Sequence, residues 1–466
     1  MLFSSIPFLY YFLPCVLIVY FAAPQRVKNL VLLIFSLVFY GWGEPVYVLV
    51  MLISIAVAFF AGLWIGKAGT KQAKKLAMGF GVGIALSFLI YFKYTDFFIE
   101  NFNRATGLSI PLLRLALPIG ISFYTFQIIS YILDVYRGTV AAQHDPIALA
   151  AYVTMFPQLI AGPIVRYSDI NAQLSQRQYT LQGLSDGIGR FVLGLGKKVL
   201  IANSLGALCQ TFQASGDLSV LYYWMYAVSF ALQIYFDFSG YSDMAIGLGR
   251  ILGFDFLENF NYPFISASIT EFWRRWHMSL SSWFRDYVYI PLGGNRVSKT
   301  RWVFNLLVVW MLTGFWHGAE WNFILWGLYF AIALAVEKLF LLKYLKKSKV
   351  FSRIYVLPVI LVSFVLFNAT SLREAWQDIS SMFGGGSLPL TSPEALYYLR
   401  SYLVLFLIAI VGATPLPKKV IYSLRNTKAG DLILSAMSPV VMVLLLLLVT
   451  AYLVDGSFNP FLYFRF

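Results

Sequence analysis

Charged residues are scarce in this chain. Asp, Glu, Lys and Arg make up 12% of its 466 residues, whereas soluble globular domains carry about 25%. Hydrophobic residues account for 59%. This composition excludes a soluble enzyme and predicts an all-α, polytopic membrane protein, because each crossing of a bilayer core of about 30 Å takes about 20 apolar residues.

Cysteine and acidic residues are scarce as well. The two cysteines, Cys15 and Cys209, exclude a disulfide framework and a zinc site built from cysteine, and we predict no metal. The 21 acidic residues stand against 35 basic ones, which gives a net charge of +14. In a membrane protein this excess indicates cytoplasmic loops and contact with membrane lipid rather than nucleic-acid binding.

The basic residues are unevenly placed. None precedes Arg26, so the first apolar run lacks the basic start of a signal peptide and is predicted to be a retained span. Basic loops at Lys67–Lys75, Lys343–Arg353 and Lys418–Arg425 are predicted to be cytoplasmic. Both termini then lie outside the cytoplasm, with the chain crossing the cell membrane several times.

Apolar runs predict about eleven spans. Three of them, at 147–163, 187–203 and 302–316, are interrupted by Pro or Gly or closely flanked by charge, which favours half-helices or re-entrant segments. No internal repeat of the kind found in many transporters occurs. The runs lie near 6–22, 29–42, 46–66, 76–92, 115–133, 147–163, 187–203, 219–236, 302–316, 321–342, 354–368, 397–413 and 432–454.

The most polar part of the chain is its middle, 234–300. Polar side chains at membrane depth are costly unless they line a cavity or pair with one another, so each is a candidate for function. Asp237 and Asp243 follow an apolar run there. Either Asp237 or Ser239 caps a helix that runs from Met244 to Leu252, or these side chains line a cavity.

Residues 271–287 are predicted to form one amphipathic helix at the headgroup level. Its basic stripe either binds lipid or holds a phosphorylated ligand, since Arg binds phosphate through two parallel hydrogen bonds. A turn at Pro291–Arg296 follows the helix. The aromatic stripe comprises Trp273, Trp276, Leu280, Trp283 or Phe284, and Tyr287; the basic stripe comprises Arg274, His277, Ser281 and Arg285.

Histidine is rare, with three in the chain, and His317 is the most informative of them. A neutral imidazole is the usual general base near neutral pH. The apolar stretch before His317 is about 15 residues, too short to cross the bilayer core as a helix, which predicts a helix break there. Gly314 and Gly318 permit close approach to it, and Glu320 is near. His144 lies in a polar turn and is interpreted as structural.

Six blocks, taken in order, resemble the membrane-bound O-acyltransferase family. The similarity is greatest to the branch that O-acetylates alginate and other bacterial cell-surface polysaccharides. The blocks fall within about 110–330, and the C-terminal Asn459–Phe466 is also similar to that branch. They are Phe156–Tyr167, Tyr235–Gly247, Glu258–Pro263, Phe272–His277, Trp283–Tyr287 and Leu312–Gly318.

The resemblance implies a fold and an activity. The fold is one membrane-embedded domain over 1–466, in which the core at about 110–330 lies between helices of 1–109 and 331–466 and surrounds a central tunnel. The activity is transfer of an acetyl group from cytoplasmic acetyl-CoA, with no bound cofactor. The acetyl group passes to an extracytoplasmic partner protein or directly to a polysaccharide hydroxyl.

The resemblance also implies residue roles. His317 falls on the catalytic histidine of the family, and His277 falls on its second motif position. We predict that the basic residues near His277 hold the phosphates of the donor and that aromatic and amide side chains line the tunnel entry. The predicted donor-binding residues are Trp273, Arg274, Arg275, Arg285, Asn295 and Arg296.

Two alternatives remain open. In the first, the chain transfers D-alanine from the phosphopantetheine of a carrier protein to a wall polymer. In the second, it is a transporter or flippase for an acylated or phosphorylated lipid, with the Arg stripe as its headgroup site. The transporter hypothesis predicts that substitution of the histidines leaves substrate movement intact.

Overall fold

The computed structural model describes residues 1–160 and 162–456, in which the regular secondary structure is helical and no strand occurs. Ala161, in one of the six blocks, and Asn459–Phe466 lie outside the described residues. The chain divides into two units. The first comprises Met1–Phe191 and Met244–Leu257, and the second comprises Val192–Asp243 and the chain from Glu258 onward.

The helices are numbered in chain order over the described part. The first ten are α1 (Leu13–Ala22), α2 (Lys28–Gly41), α3 (Tyr47–Lys67), α4 (Lys71–Lys93), α5 (Thr95–Thr106), α6 (Ile121–Arg137), α7 (Pro146–Thr154), α8 (Phe156–Leu159), α9 (Tyr167–Ser175) and α10 (Leu181–Gly196). The helices that follow are α11 (Asn203–Ala214), α12 (Val220–Ile251), α13 (Ile269–Arg275), α14 (Met278–Phe284), α15 (Lys299–His317), α16 (Trp321–Val336), α17 (Leu342–Leu345), α18 (Lys349–Asn368), α19 (Leu372–Met382), α20 (Pro393–Ser401), α21 (Leu403–Gly412), α22 (Leu416–Arg425) and α23 (Lys428–Asp455). π-Helical turns occur at Phe8–Phe12, Lys197–Ala202, Arg285–Tyr289 and Glu337–Leu341, and 3₁₀ turns at Gln25–Val27, Pro263–Ile265 and Gly385–Ser387.

Small residues allow the helices of the first unit to pack closely. A Cβ added at Gly62 of α3 would lie 2.5 Å from the Tyr131 hydroxyl oxygen of α6, and one added at Gly81 of α4 would lie 2.7 Å from the Cβ of Ala61. Lipid tails are as apolar as leucine, so helices in a membrane associate through such close van der Waals packing rather than through apolar burial alone.

In the second unit, α15 and α16 form a hairpin whose backbones touch at glycines. A Cβ added at Gly314 would lie 2.2 Å from the carbonyl oxygen of Phe323, and one added at Gly327 would lie 2.1 Å from that of Trp310. Real Cβ atoms do not approach a carbonyl oxygen so closely, so only glycine fits at these positions. The hairpin therefore fixes where α15 ends.

By length and composition, six helices in the described residues could cross a membrane, or seven if the bent pair α20 and α21 is one span. The sequence predicts about eleven, because it counts apolar runs that fold as short helices such as the 14-residue α2. The candidate spans are Tyr47–Lys67, Lys71–Lys93, Leu181–Ala214, Trp321–Leu345, Lys349–Asn368 and Lys428–Asp455.

The three predicted half-helices have different outcomes. The run at 147–163 is broken, as predicted, into α7 and α8. The run at 302–316 forms the 19-residue α15, which is not among the candidate spans. The prediction at 187–203 is wrong, since Leu181–Ala214 is one 34-residue candidate span.

Candidate active site

His317 is the last residue of α15. Gly318 has an extended backbone, with φ −160° and ψ 152°, and α16 follows after a short turn, so the helix break predicted here is confirmed. The His317 side chain is buried, with 9% of its surface exposed. The contact of Gly314 with α16 holds the hairpin that carries it. Glu320, the predicted companion, is exposed.

Aromatic rings surround the imidazole of His317. Its centroid lies 4.9 Å from Trp316 and 5.1 Å from Trp326, and Phe367 is 5.3 Å away. Trp273, predicted at the tunnel entry, is buried in this cluster, 5.6 Å from Trp326. The buried indole N–H groups of Trp326 and Trp273 have no hydrogen-bond partner among the described residues. Two donors are therefore available to a bound group.

His277 interrupts the helix predicted over 271–287. α13 ends at Arg275, α14 begins at Met278, and His277 between them has a left-handed backbone with φ +45°. The prediction of one continuous helix is therefore wrong, and Trp273 and Trp276 of its aromatic stripe are buried inside the second unit. A non-glycine residue in this conformation costs about 1–3 kcal/mol and is often retained where a side chain is held for function.

The two buried histidines share a neighbour. The His277 and Trp316 ring centroids are 6.2 Å apart, and the His317 and Trp316 centroids are 4.9 Å apart. His277 is 1% exposed and packs edge to face on Phe238 at 4.7 Å. Burial lowers the pKa of His277 well below its usual value, and electrostatic interaction with the nearby His317 lowers it further. His277 is therefore neutral at neutral pH.

Asn259 decides which nitrogen of His277 carries the proton. Its side-chain oxygen accepts the backbone N–H of Ser279 at 3.2 Å and the Ser279 hydroxyl at 2.9 Å. A backbone N–H cannot accept, so the atom there must be the oxygen of the amide. The same oxygen lies 3.1 Å from Nδ1 of His277. Nδ1 therefore donates, and Nε2 is the basic nitrogen of the neutral ring.

No pattern in the sequence indicates this role for Asn259. The residue falls in the Glu258–Pro263 block, but it lies 18 positions before His277. No helical or strand periodicity connects the two, so only the folded chain brings them together.

Two consecutive lysines pair with the aspartates of α12. Lys198 Nζ lies 2.7 Å from Asp237 Oδ1, and Lys197 Nζ lies 2.6 Å from Asp243 Oδ2. Since α12 runs unbroken through this segment, the predicted cap at Asp237 or Ser239 is wrong. The Lys198 and Asp237 side chains are each 3% exposed, and breaking such a buried pair costs about 3–5 kcal/mol. The signal for this pairing in the sequence is the presence of two lysines inside an apolar run.

A basic cavity of about 830 Å³ lies beside α13 and α15. Two of the predicted donor-binding residues, Arg274 and Asn295, line it. Its lining includes four cationic side chains and one carboxylate, a composition that suits a ligand with several phosphates. The charged residues that line it are Arg274, Lys299, Lys338, Lys346 and Glu271.

Three other predicted donor contacts do not line this cavity. Arg275 is bound to Glu271 and lines a separate cavity of about 440 Å³. Arg285 is exposed and paired with Asp286 at 2.6 Å. Arg296 is exposed in the turn before α15.

Comparison with known proteins places this region in context. The model of the membrane-bound O-acyltransferase family, MBOAT, matches residues 140–373. The chain is 39% identical, over the whole length of both proteins, to the probable alginate O-acetylase AlgI of Azotobacter vinelandii. It is 36% identical to the peptidoglycan O-acetyltransferase of Helicobacter pylori, over 86% of this chain and 83% of that protein. The teichoic acid D-alanyltransferase of Bacillus subtilis is 33% identical over 48% of this chain and 59% of that protein.

Proposed function

The chain belongs to the membrane-bound O-acyltransferase family and is an acyltransferase, and from that premise we propose that it transfers acetyl groups from cytoplasmic acetyl-CoA for O-acetylation of a cell-surface polysaccharide. Two of its full-length or near-full-length relatives are named for O-acetylation of alginate or peptidoglycan. The proposal places the chain in the bacterial cytoplasmic membrane, with the acceptor on the outside.

The observation that carries the proposal is the pair of buried histidines at Trp316. An acyl transfer to a hydroxyl needs a base that removes the hydroxyl proton, and histidine is the side chain best suited to that task near neutral pH. His317 is enclosed by aromatic rings, an environment that excludes water and so limits hydrolysis of the thioester.

We assign the general base to His317. It takes the proton of the acceptor hydroxyl as that oxygen attacks the carbonyl carbon of the acetyl thioester. The tetrahedral intermediate then collapses, the C–S bond breaks, and the imidazolium returns the proton to the departing thiolate. The products are an acetyl ester and free CoA. His277, with Nε2 as the basic nitrogen of its neutral ring, is assigned to orienting the substrate.

The oxyanion of the tetrahedral intermediate needs hydrogen-bond donors. The indole N–H groups of Trp326 and Trp273 suit this task because both are buried, lack a partner among the described residues and belong to the ring cluster at His317. A fixed donor in a site without water is worth about 10²–10³-fold in rate.

The donor is proposed to bind in the 830 Å³ cavity. Acetyl-CoA carries a pyrophosphate and a ribose phosphate, and the cations of the cavity match that charge. α13 joins this cavity to the histidines, because Arg274 lines the cavity while the preceding Trp273 packs against Trp326.

The alternatives have less support. The D-alanyltransferase relative matches about half of this chain, whereas the two reported relatives named for O-acetylation match 100% and 86% of it. A carrier protein presents one phosphodiester, which needs fewer cations than the cavity supplies. A transporter needs no pair of buried histidines.

Membrane vesicles that contain the chain test the proposal. They are supplied with acetyl-CoA labelled in its acetyl group and with a polysaccharide acceptor, with and without candidate extracytoplasmic partner proteins. We expect label in the polysaccharide as an ester that mild alkali releases. The choice of donor would be overturned if the polysaccharide were labelled from a D-alanyl carrier protein but not from acetyl-CoA.

Variant vesicles separate chemistry from transport. His317→Gln should abolish transfer, and His144→Gln, a change in an exposed turn, should not. The transporter would be favoured if a labelled lipid crossed the membrane chemically unaltered, at the same rate in wild type and His317→Gln, and no ester product formed.

A further inference from the structure

A second basic cavity lies at α22, apart from the residues to which acyl transfer is assigned. Its volume is about 440 Å³, within the range of about 300–1,000 Å³ that small-ligand sites occupy. No Asp or Glu is among the described residues that line it. The lining residues with positive or hydrogen-bonding side chains include Tyr262, Arg275, Lys418, Lys419, Tyr422 and Asn426.

The position of α22 in the chain places this cavity at a membrane surface. α22 connects α21, part of a candidate span, to α23, the next candidate span. Leu416, Val420 and Leu424 recur along one side of α22 and are each about half exposed. A short helix between two spans, with an apolar stripe and adjacent lysines, lies in the headgroup layer.

The charges at the cavity are arranged for an anion. Arg275 is held in place, because its Nε and Nη2 each lie 2.9 Å from Glu271 and its Nη1 donates to the Asn261 carbonyl at 3.0 Å. Neither Lys418 nor Lys419 forms an ion pair with a carboxylate of the described residues. Arg275, its charge balanced by Glu271, therefore forms a fixed wall of the cavity, and the two lysines supply uncompensated ammonium groups, which attract phosphate.

We propose that this cavity binds the headgroup of an anionic phospholipid, with Lys418 and Lys419 on its phosphate and Tyr422 and Asn426 on headgroup hydroxyls. A lipid fits better than a soluble phosphate because α22 carries the cavity lysines on one side and the exposed apolar residues Leu416, Val420 and Leu424 on another, so that the same helix meets both headgroups and acyl chains. The proposal is independent of the acyl-transfer reaction.

The test is native mass spectrometry of the full chain, purified in detergent and titrated with phosphatidylglycerol, phosphatidylcholine or glycerol 3-phosphate. The variant is Lys418→Gln with Lys419→Gln. The matched control is Arg425→Gln with Lys428→Gln, which removes two charges from the same region but from residues that do not line the cavity. Circular dichroism verifies that both variants remain folded.

We expect the first bound phosphatidylglycerol of the wild type to be selected over phosphatidylcholine. Its dissociation constant should rise at least tenfold in the lysine variant and about twofold in the control, since each lysine near a lipid phosphate is worth about 1 kcal/mol. Equal weakening in both variants would overturn the proposal. So would binding of glycerol 3-phosphate as tight as that of the lipid, because the occupant would then be a soluble phosphate.

Discussion

His317 and His277 reach the same indole ring by different means. His317 ends α15, and its position follows from a helix pair whose backbones touch at Gly314 and Gly327. His277 lies in a break between two short helices and is held by the distant Asn259. The first placement is set by backbone packing, and the second involves a hydrogen bond from a side chain far away in the sequence. We therefore expect His317 to act in the chemistry and His277 to be the adjustable partner.

The largest expected effect separates the two histidines directly. His317→Gln should lower kcat for acetyl transfer by about 10²–10⁴-fold, because it removes the general base. His277→Gln should lower kcat less, since an amide can still accept a hydrogen bond. Initial rates with labelled acetyl-CoA measure both. A greater loss in His277→Gln would reverse the assignment of roles.

The rings at His317 provide the second test. Trp326→Phe keeps an aromatic ring but removes the N–H, and kcat should fall about 10²–10³-fold if that group stabilises the oxyanion. Trp310→Phe is the matched control, because Trp310 packs in the same cluster, 4.7 Å from Trp273, and its N–H is not among the fully buried groups without a partner. Similar rates in the two variants would remove Trp326 from the mechanism.

A third prediction concerns the hairpin. Gly314→Ala places a Cβ 2.2 Å from the Phe323 carbonyl oxygen, so the helices must separate at a cost of about 1–3 kcal/mol. Thermal unfolding in detergent should occur at a lower temperature, and His317 should be displaced. Gly83→Ala in α4, which has open space around it, should be neutral or slightly stabilising. Equal unfolding temperatures would show that the backbone contact does not fix the hairpin.

The smallest expected effect is a shift in pH dependence. Burial and His317 lower the pKa of His277, so His277 of the wild type stays neutral at pH values at which an exposed histidine is already protonated. Asn259→Asp puts a carboxylate against Nδ1, which favours the imidazolium and raises the pKa of His277. The acid side of the kcat/KM profile should then move to higher pH, with acetyl transfer near pH 8 largely retained. An unchanged profile would argue against a role for this hydrogen bond.

The sequence predicts some of these features and not others, for physical reasons. The membrane class follows from composition, and the helix break after α15 follows from Gly318 and from the length of the apolar stretch. The break at His277 could not be predicted, because the periodic pattern over 271–287 is that of a continuous helix. It contains no information on the left-handed backbone of His277 or on its contact with Asn259.

The lysine pair shows a second limit of sequence reasoning. Lys197 and Lys198 suggest an interrupted helix at 187–203, but Asp243 and Asp237 of α12 neutralise them in the folded chain. Pairing partners 46 and 39 positions away leave no local pattern in the sequence.

The most direct test of the central claim is chemical rescue of His317→Ala by imidazole. The variant has a space of the shape of the missing ring, and added imidazole can act there as the base. We predict that imidazole restores transfer of labelled acetyl from acetyl-CoA in His317→Ala, with a rate that rises with imidazole concentration, and has no effect on wild type. Wild-type rates in His317→Ala without imidazole would contradict the account.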